Sequence, residues 1–377
     1  MQKTFRLAAL AAATLALSAS AMAGNTGKFM AGFEPDATGI TALTGNSSAP
    51  SNWRFAPGQV FNGVVGALDG VARLSFENAG GSWACSGSLL AGGQYVLTAA
   101  HCADDFTKMT VQFGWYAGTA QVTRNVSVGN AYVYGGWDGS LDTGADIAIL
   151  KLDQAVTTIN GYKISTTNDV GKQHLIAGYG TTQNGATNAA TNWNDGNYGH
   201  YAYNTFDTDS KTFNEKVGAG WDAANPGDPW GYDPAYYKHG VTYMVDFDRQ
   251  NTTNNTMQRV ADKYGITAWN SNTGVSGEGL IAGGDSGGGD FVWNGTEWLL
   301  SGVHSWGWQG CSTFGLNCDV STKNSSSYGD LSGSTAVFSH AQWINSVTAA
   351  VPEPQTYALM IMGLLAVGSV ARRRKQD

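Results

Sequence analysis

The stretch "GGDSGGG", Gly283–Gly289, decides how this chain folds. Gly284-x-Ser286-x-Gly288 fits a nucleophile elbow, which requires a helix directly after the serine. The residues that follow, "GGGDFVWNGTEWLLSGVHSW", read instead as two strands joined at Asn294-Gly295, a β-hairpin. Glycine is abundant, with 51 in 377 residues, so the glycines by themselves also suit a flexible loop. The segments on either side must choose between these readings.

Upstream, from about Val64, short apolar runs alternate with Gly, Asn and Asp turns: "GVARLSF", "GSLLAGGQYVLTAA", "MTVQFGWYAG" and "DIAILKL". Such spacing predicts an antiparallel barrel or sandwich. A second β set opens with "KQHLIAGYGTT" (172–182) and resumes at "VTYMVDFD" (241–248). Between them, about 183–240 is rich in Asn, Asp, Gly, Trp and Tyr without period or repeat, and reads as a long surface insertion. Residues 24–63 read as an N-terminal arm or pro-segment. The only amphipathic helix expected is near "SHAQWINSV" (339–347). Parallel-sheet helices are missing throughout, which disfavours an esterase built from Ser286, Asp319 or Asp330, and His340.

Both ends carry addresses. Lys3 and Arg6, the run "LAALAAATLAL" and "AMA" at 21–23 form a secretory signal for signal peptidase, cut after Ala23. The tail has Val351-Pro352-Glu353-Pro354, an apolar run from about Tyr357 to Ala371, then Arg372, Arg373, Arg374 and Lys375. A helix over that run covers roughly 22 Å at 1.5 Å per residue, short of a ~30 Å hydrocarbon core. The basic cluster would hold its end on the cytoplasmic side. This tail resembles the PEP-CTERM sorting signal of Gram-negative bacteria. The resemblance implies an exosortase as processing partner, membrane anchoring through the tail helix, and delivery to the cell envelope, surface or matrix. Setting aside residues 1–23 and 355–377 takes the 21 basic and 29 acidic residues to 15 and 28, a net of −13. Such an acidic chain is a poor partner for nucleic acid. Four cysteines, Cys85, Cys102, Cys311 and Cys318, point to two disulfides in an exported chain, with three pairings open. None has CxxC spacing, so no zinc site is expected. "DTDSKTFNE" (207–215) lacks the Gly and final Glu spacing of an EF-hand loop. Neither a metal nor another cofactor is expected.

Three segments carry chemistry. In "CSGSLLAGGQYVLTAAHC" a strand ends in small residues that let the His101 imidazole stand in a cleft. In "TGADIAILKL", Asp146 opens a core strand, where a buried carboxylate needs a partner such as an imidazole N–H. Ser286 needs a base beside it and N–H donors aimed at a developing oxyanion. Gly284 lets its N–H and that of Ser286 face one point.

In this order "TAAHC" (98–102), "DIAIL" (146–150) and "GDSGG" (284–288) resemble the chymotrypsin/trypsin family of serine proteases. "GYG" (178–180), "SWG" (305–307), "GC" (310–311) and "SHAQWI" (339–344) extend the resemblance over about 64–347. It implies an all-β fold of two packed antiparallel barrels, about 64–165 and 166–347. A short C-terminal helix closes the domain, and the insertion lies in the second barrel. It implies a serine endopeptidase acting on proteins or peptides, with His101 as base, Asp146 orienting it and Ser286 attacking. Gly284 and Ser286 would form the oxyanion hole, and Ser305, Trp306 and Gly307 would pair with the substrate backbone. It also implies a Cys85–Cys102 disulfide. The family's usual cysteine before the nucleophile is absent from "LIAGG" (280–284), so Cys311 is assigned to Cys318. Gly289 stands where proline is usual, and His304 stands in the substrate strand where an apolar residue is common. Leu280, six before Ser286, would floor the specificity pocket and disfavour cleavage after Lys or Arg. Asp285 requires a partner, either a new N-terminus at Val64 or another donor. A non-catalytic surface binder on the same fold is the alternative function.

Overall fold

The structure, a computed structural model, describes residues 33–34, 49–182, 185–186, 195–248, 251–269, 274–320 and 326–349. The signal segment and the sorting tail lie outside the described residues. Residues 1–341 form one compact unit and 342–377 a second. Every side chain discussed below belongs to the first.

Four short strands come first: β1 (Phe33–Glu34), β2 (Arg54–Phe55), β3 (Val60–Phe61) and β4 (Val64–Val65). The first sheet follows with β5 (Val71–Asn78), β6 (Gly81–Leu89), β7 (Tyr95–Thr98), β8 (Lys108–Phe113), β9 (Val122–Val126), β10 (Ala131–Val133) and β11 (Ala148–Lys151). Its seven strands run in the order β10-β11-β7-β6-β5-β8-β9, all neighbours antiparallel. Alternation decides the inner face: Leu74, Val96, Val111 and Phe113 are fully buried, while Arg73, Ser75 and Gln112 are not.

The second sheet uses β12 (Gln173–Gly178), β13 (Gly199–Thr205), β14 (Thr208–Asp209), β15 (Thr242–Asp246), β16 (Gly289–Trp293), β17 (Trp298–Trp308) and β18 (Leu331–Ala336). Its path is β14-β15-β18-β17-β16-β12-β13-β2, and β1 pairs with β17. The expected β-hairpin after Ser286 is β16–β17, turned at Asn294, whose side chain accepts from the N–H groups of Thr296 and Glu297. No helix follows the serine, which removes the nucleophile-elbow reading. The all-β, two-sheet architecture is the one the sequence implies.

Two expectations need correction. The segment 183–240 is not one surface insertion, because β13 is a central strand paired to β12 along its length. Its buried positions, Gly199, His200, Ala202 and Asn204, carry small or polar residues that hide the alternation. The chain also has more helix than expected. Helix α1 (Ser210–Ala224) starts where Asp209 accepts from the Thr212 N–H. Helix α2 (Thr256–Tyr264) is capped by Asn255 and stopped at Gly265, whose φ is +66°. Helix α1 buries Phe213 and Val217 in an aromatic cluster with Trp230, Trp269, Trp308 and Phe314. Burying one such ring contributes about 2–3 kcal/mol. Helix α3 (Gly310–Thr313) carries Cys311, and α4 (Ala341–Thr348) agrees with the expected closing helix.

Candidate active site

Strand β7 delivers His101. Its last residue, Thr98, and the Ala99 and Ala100 that follow are wholly buried, and a single 3-10 turn, Ala100–Cys102, lifts the imidazole to the rim. The disulfide Cys85–Cys102 ties that turn to β6. A second disulfide joins Cys311 to Cys318.

Asp146 lies just before β11, and its side chain is fully buried. Its Oδ2 is 2.7 Å from His101 Nδ1 and its Oδ1 accepts from the His101 backbone N–H at 3.0 Å. Ser305 Oγ donates to the same Oδ2 at 2.5 Å. Ser305 can reach it because the β17–β18 register slips between His304 and Trp306, a bulge that re-aims the intervening side chain. A buried carboxylate is tolerable when donors surround it, and Asp146 has three.

The Ser286 turn is pressed onto the segment that carries His101. The Ser286 carbonyl accepts from the Ser86 N–H at 2.8 Å, and Ser86 Oγ donates to the Gly284 carbonyl at 2.9 Å. The same Oγ accepts from the Tyr179 N–H at 2.9 Å, so one hydroxyl joins β6, the "GYG" segment and the nucleophile turn. Gly287 has φ +79°, and a Cβ there would collide with Thr98 and the Ser86 carbonyl. Gly284 has φ +96°. Ser286 Oγ is buried and makes no hydrogen bond. The N–H groups of Gly284 and Ser286 donate to no group among the described residues.

The structure thus brings His101, Asp146, Ser286, Gly284 and Ser305 into one region. Others expected there sit deeper. Trp306 is fully buried in the aromatic cluster around Trp308, and Leu280 is fully buried among Phe206, Tyr243 and Phe247. His304 lies behind the nucleophile turn, with Nε2 3.1 Å from Asp290 Oδ1 and Nδ1 3.2 Å from the Asp285 carbonyl. Burial works against its charge, but Asp290 raises its pKa above the usual histidine value. His174, 3.4 Å from the same carboxylate, is held neutral by burial, down to about 4.

Asp285 has donors other than a new N-terminus. Its Oδ1 accepts from the Gly180 N–H at 2.8 Å and its Oδ2 from the Ala282 N–H at 3.2 Å. Burial raises its pKa to about 6, opposed by His304. Val64 lies in the β3–β4 hairpin, and its neighbour Val65 is 71% exposed.

Sequence reasoning missed Ser86 and Asp290. Asp290 stands directly after the glycines of the opening stretch, so its place beside the nucleophile was the available signal. Among the described residues, one trio of His, Cys, Asp or Glu has ligand atoms within 4.8 Å of one another, Cys85, His101 and Cys102. Its two sulfurs are bonded to each other and cannot take an ion.

The trypsin family model matches residues 66–231, a span that holds His101 and Asp146 and ends before Ser286. Over that span the chain is similar to the trypsin family. The match supports a serine-type peptidase and implies peptide substrates. The PEP-CTERM protein-sorting motif matches residues 350–375 and implies export, exosortase processing and targeting to a bacterial cell envelope. Among the described residues no helix is long and apolar enough to cross a membrane, and the tail lies outside them. No curated protein matches the chain. Among solved structures, the protease Anisep from Arthrobacter nicotinovorans is 13% identical, covering 82% of this chain and 100% of that one, at a TM-score of 0.44. The thermostable serine protease AL20 from an extremophilic microorganism is 15% identical, with 74% and 98% covered and a TM-score of 0.44. HL collagenase is 17% identical, with 78% and 96% covered and a TM-score of 0.47.

Proposed function

We propose that the chain is an exported endopeptidase that cleaves peptide bonds through an acyl-enzyme on Ser286. His101 takes the serine proton as the hydroxyl attacks and returns it to the leaving amine. Asp146 fixes the imidazole with Nδ1 protonated, so that Nε2 is the base, and stabilises the imidazolium. The N–H groups of Gly284 and Ser286 bind the oxyanion. The observation that carries this reading is the buried Asp146, which holds His101 at 2.7 Å and is itself held by Ser305.

The substrate backbone would add to the edge of β17 at Ser305–Gly307. In support, that edge takes up a strand within this chain: Phe33–Glu34 pairs antiparallel with Gly307–Trp308. Of the arm 24–63, the part up to residue 48 would be the pro-segment that covers the edge until removed, since Trp53, Phe55 and Phe61 are built into the core. Leu280 is packed behind the site and would act only by offering no carboxylate to pair with Lys or Arg, which favours cleavage after apolar side chains. Signal peptidase would release the chain after Ala23, and the tail would anchor it in a Gram-negative envelope until an exosortase acts.

The test is a fluorophosphonate probe on the exported protein, with and without residues 24–48, followed by mapping of the labelled peptide. Labelling at Ser286 that is lost in His101→Ala is expected, faster without the arm. Absence of labelling in both forms would overturn the mechanism. Efficient cleavage after Arg, with none after Phe or Leu, would overturn the specificity.

A further inference from the structure

One face of the first sheet is shared between the nucleophile turn and an open groove. Cross-strand partners point to the same face, so Ser86 of β6 stands in a row with Arg73 of β5 and Gln112 of β8. At Ser86 that face is covered by the nucleophile turn and the "GYG" segment. Beyond Arg73 it is uncovered, and a groove of about 470 Å³ runs from Arg73 past Ser75 and Thr110 to Glu77 and Lys108. Arg73 is half-buried at the seam. Its Nη1 donates to Ser75 Oγ at 2.6 Å and to Gln112 Oε1 at 2.8 Å, and the guanidinium carbon lies 4.8 Å from the Trp115 ring centre. These neutral contacts fix the guanidinium, while its Nε and Nη2 donate to no group among the described residues. At the far end Lys108 is answered by Glu77 at 3.2 Å, but Arg73 meets no carboxylate. Burial works against its charge, with only Tyr179 opposing. In a chain of net charge −8, this is a cation kept ready for an acid from outside.

We infer that Arg73 binds an acidic side chain of the substrate, on the leaving-group side of the scissile bond. The inference rests on the peptidase mechanism proposed above. In that mechanism the acyl half of the substrate lies along β17 in the second sheet, and the leaving amine departs past His101. The turn that carries His101 is tied to β6 by Cys85–Cys102, and Trp83 and Ala84 of the groove directly precede Cys85. The leaving half therefore runs out over the groove. Strand spacing sets the register. Ser86 pairs with Arg73 on one side, and its N–H bonds the Ser286 carbonyl on the other. Two spacings of about 4.8 Å place the Arg73 backbone roughly 10 Å from that of Ser286. An extended substrate advances about 3.3 Å per residue, so its second or third residue after the scissile bond comes abreast of the guanidinium. The two uncommitted nitrogens form one side of the guanidinium fork and suit a bidentate carboxylate. Elsewhere in this chain Arg54 uses the same pair, Nε and Nη2, to hold Asp195 at 2.6 and 2.5 Å.

The test uses the exported protein, with and without residues 24–48, and internally quenched peptides with Phe before the scissile bond. Glu, Ala or Lys is placed at the second and third positions after the bond. The kcat/KM for Glu over Ala is expected to be about tenfold and to shrink at high salt. This ratio is read within one protein, so it does not depend on how much of a variant folds. Arg73→Gln should bring it close to one, Arg73→Lys should keep part of it, and Arg73→Glu should favour Lys over Glu. Equal cleavage of the Glu and Ala peptides by wild type, or a Glu preference that survives Arg73→Gln, would overturn the inference and leave the peptidase mechanism standing. Cleavage of no peptide at all would remove both.

Discussion

Two groups of buried acids in this molecule solve the same problem in different ways. Around the nucleophile, each carboxylate has its donors built in: His101 and Ser305 for Asp146, backbone N–H groups for Asp285, His304 and His174 for Asp290. At the cavity beyond β15, Asp207, Asp246 and Glu278 are crowded together, and burial and mutual repulsion push their pKa values up. A buried charge with a partner inside the chain is machinery, and removing either member is costly. Crowded buried carboxylates disfavour each other's charge, and removing one relieves repulsion. The two groups should therefore respond with opposite signs to loss of a charge.

The largest effect should come from Asp146→Asn. The amide would favour the wrong imidazole tautomer while leaving the packing intact, so peptidase turnover should fall about 10⁴-fold. Thermal unfolding should move little. Turnover within tenfold of wild type would show that Asp146 is only a strand cap, and the contrast between the two acidic groups would collapse.

His304→Leu breaks a partnered acid that is not proposed to touch substrate. Asp290 would keep the more distant His174 and the Ser334 hydroxyl, and the Asp285 carbonyl would lose its imidazole. A loss of roughly 3–5 kcal/mol is expected, the usual cost of stranding a buried charge. Unfolding midpoints would drop on the order of 10 °C. An unchanged midpoint would mean that Asp290 is already neutral. Glu278→Gln, by contrast, removes one of the crowded carboxylates and should not destabilise.

The contrast also explains what could be read in advance. His101, Asp146 and Ser286 each sit in a short string whose neighbours have local jobs: small residues before the histidine, a core strand after the aspartate, glycines around the serine. Their meaning survives without the fold. The cavity acids are spread over residues 207–278 and lie together only because β13, β14 and β15 do. Strand β13 itself was hidden, because His200 and Asn204 occupy inward positions where apolar residues normally signal a strand. Helix α1 was hidden by Gly218 and Gly220, which weaken helix propensity in a segment whose packing supplies its stability. The bulge at Ser305 has no sequence mark either, since it follows from pairing with β18.

The smallest expected effect concerns a buried base outside both groups. His340 Nε2 lies 2.6 Å from the Gly144 carbonyl. Burial, aided by His239, holds its pKa down to about 4, opposed by the Gly144 carbonyl. In the unfolded chain it would titrate near 6.5. Between those values the unfolded chain binds a proton that the folded chain refuses, so this residue's contribution is lost as pH falls from 6.5 towards 4. Asp142 and Asp285, raised by burial to about 7 and about 6, act in the opposite direction and stabilise as pH falls over roughly the same range. The wild-type curve therefore mixes the two signs, and His340→Gln separates them, because it removes the histidine term while keeping an amide donor for the carbonyl. The stability advantage of wild type over this variant should shrink by about 2 kcal/mol between pH 7 and pH 4.5. Denaturant melts at the two pH values read it directly, and an advantage that stayed constant would show that His340 titrates alike in the folded and unfolded chain.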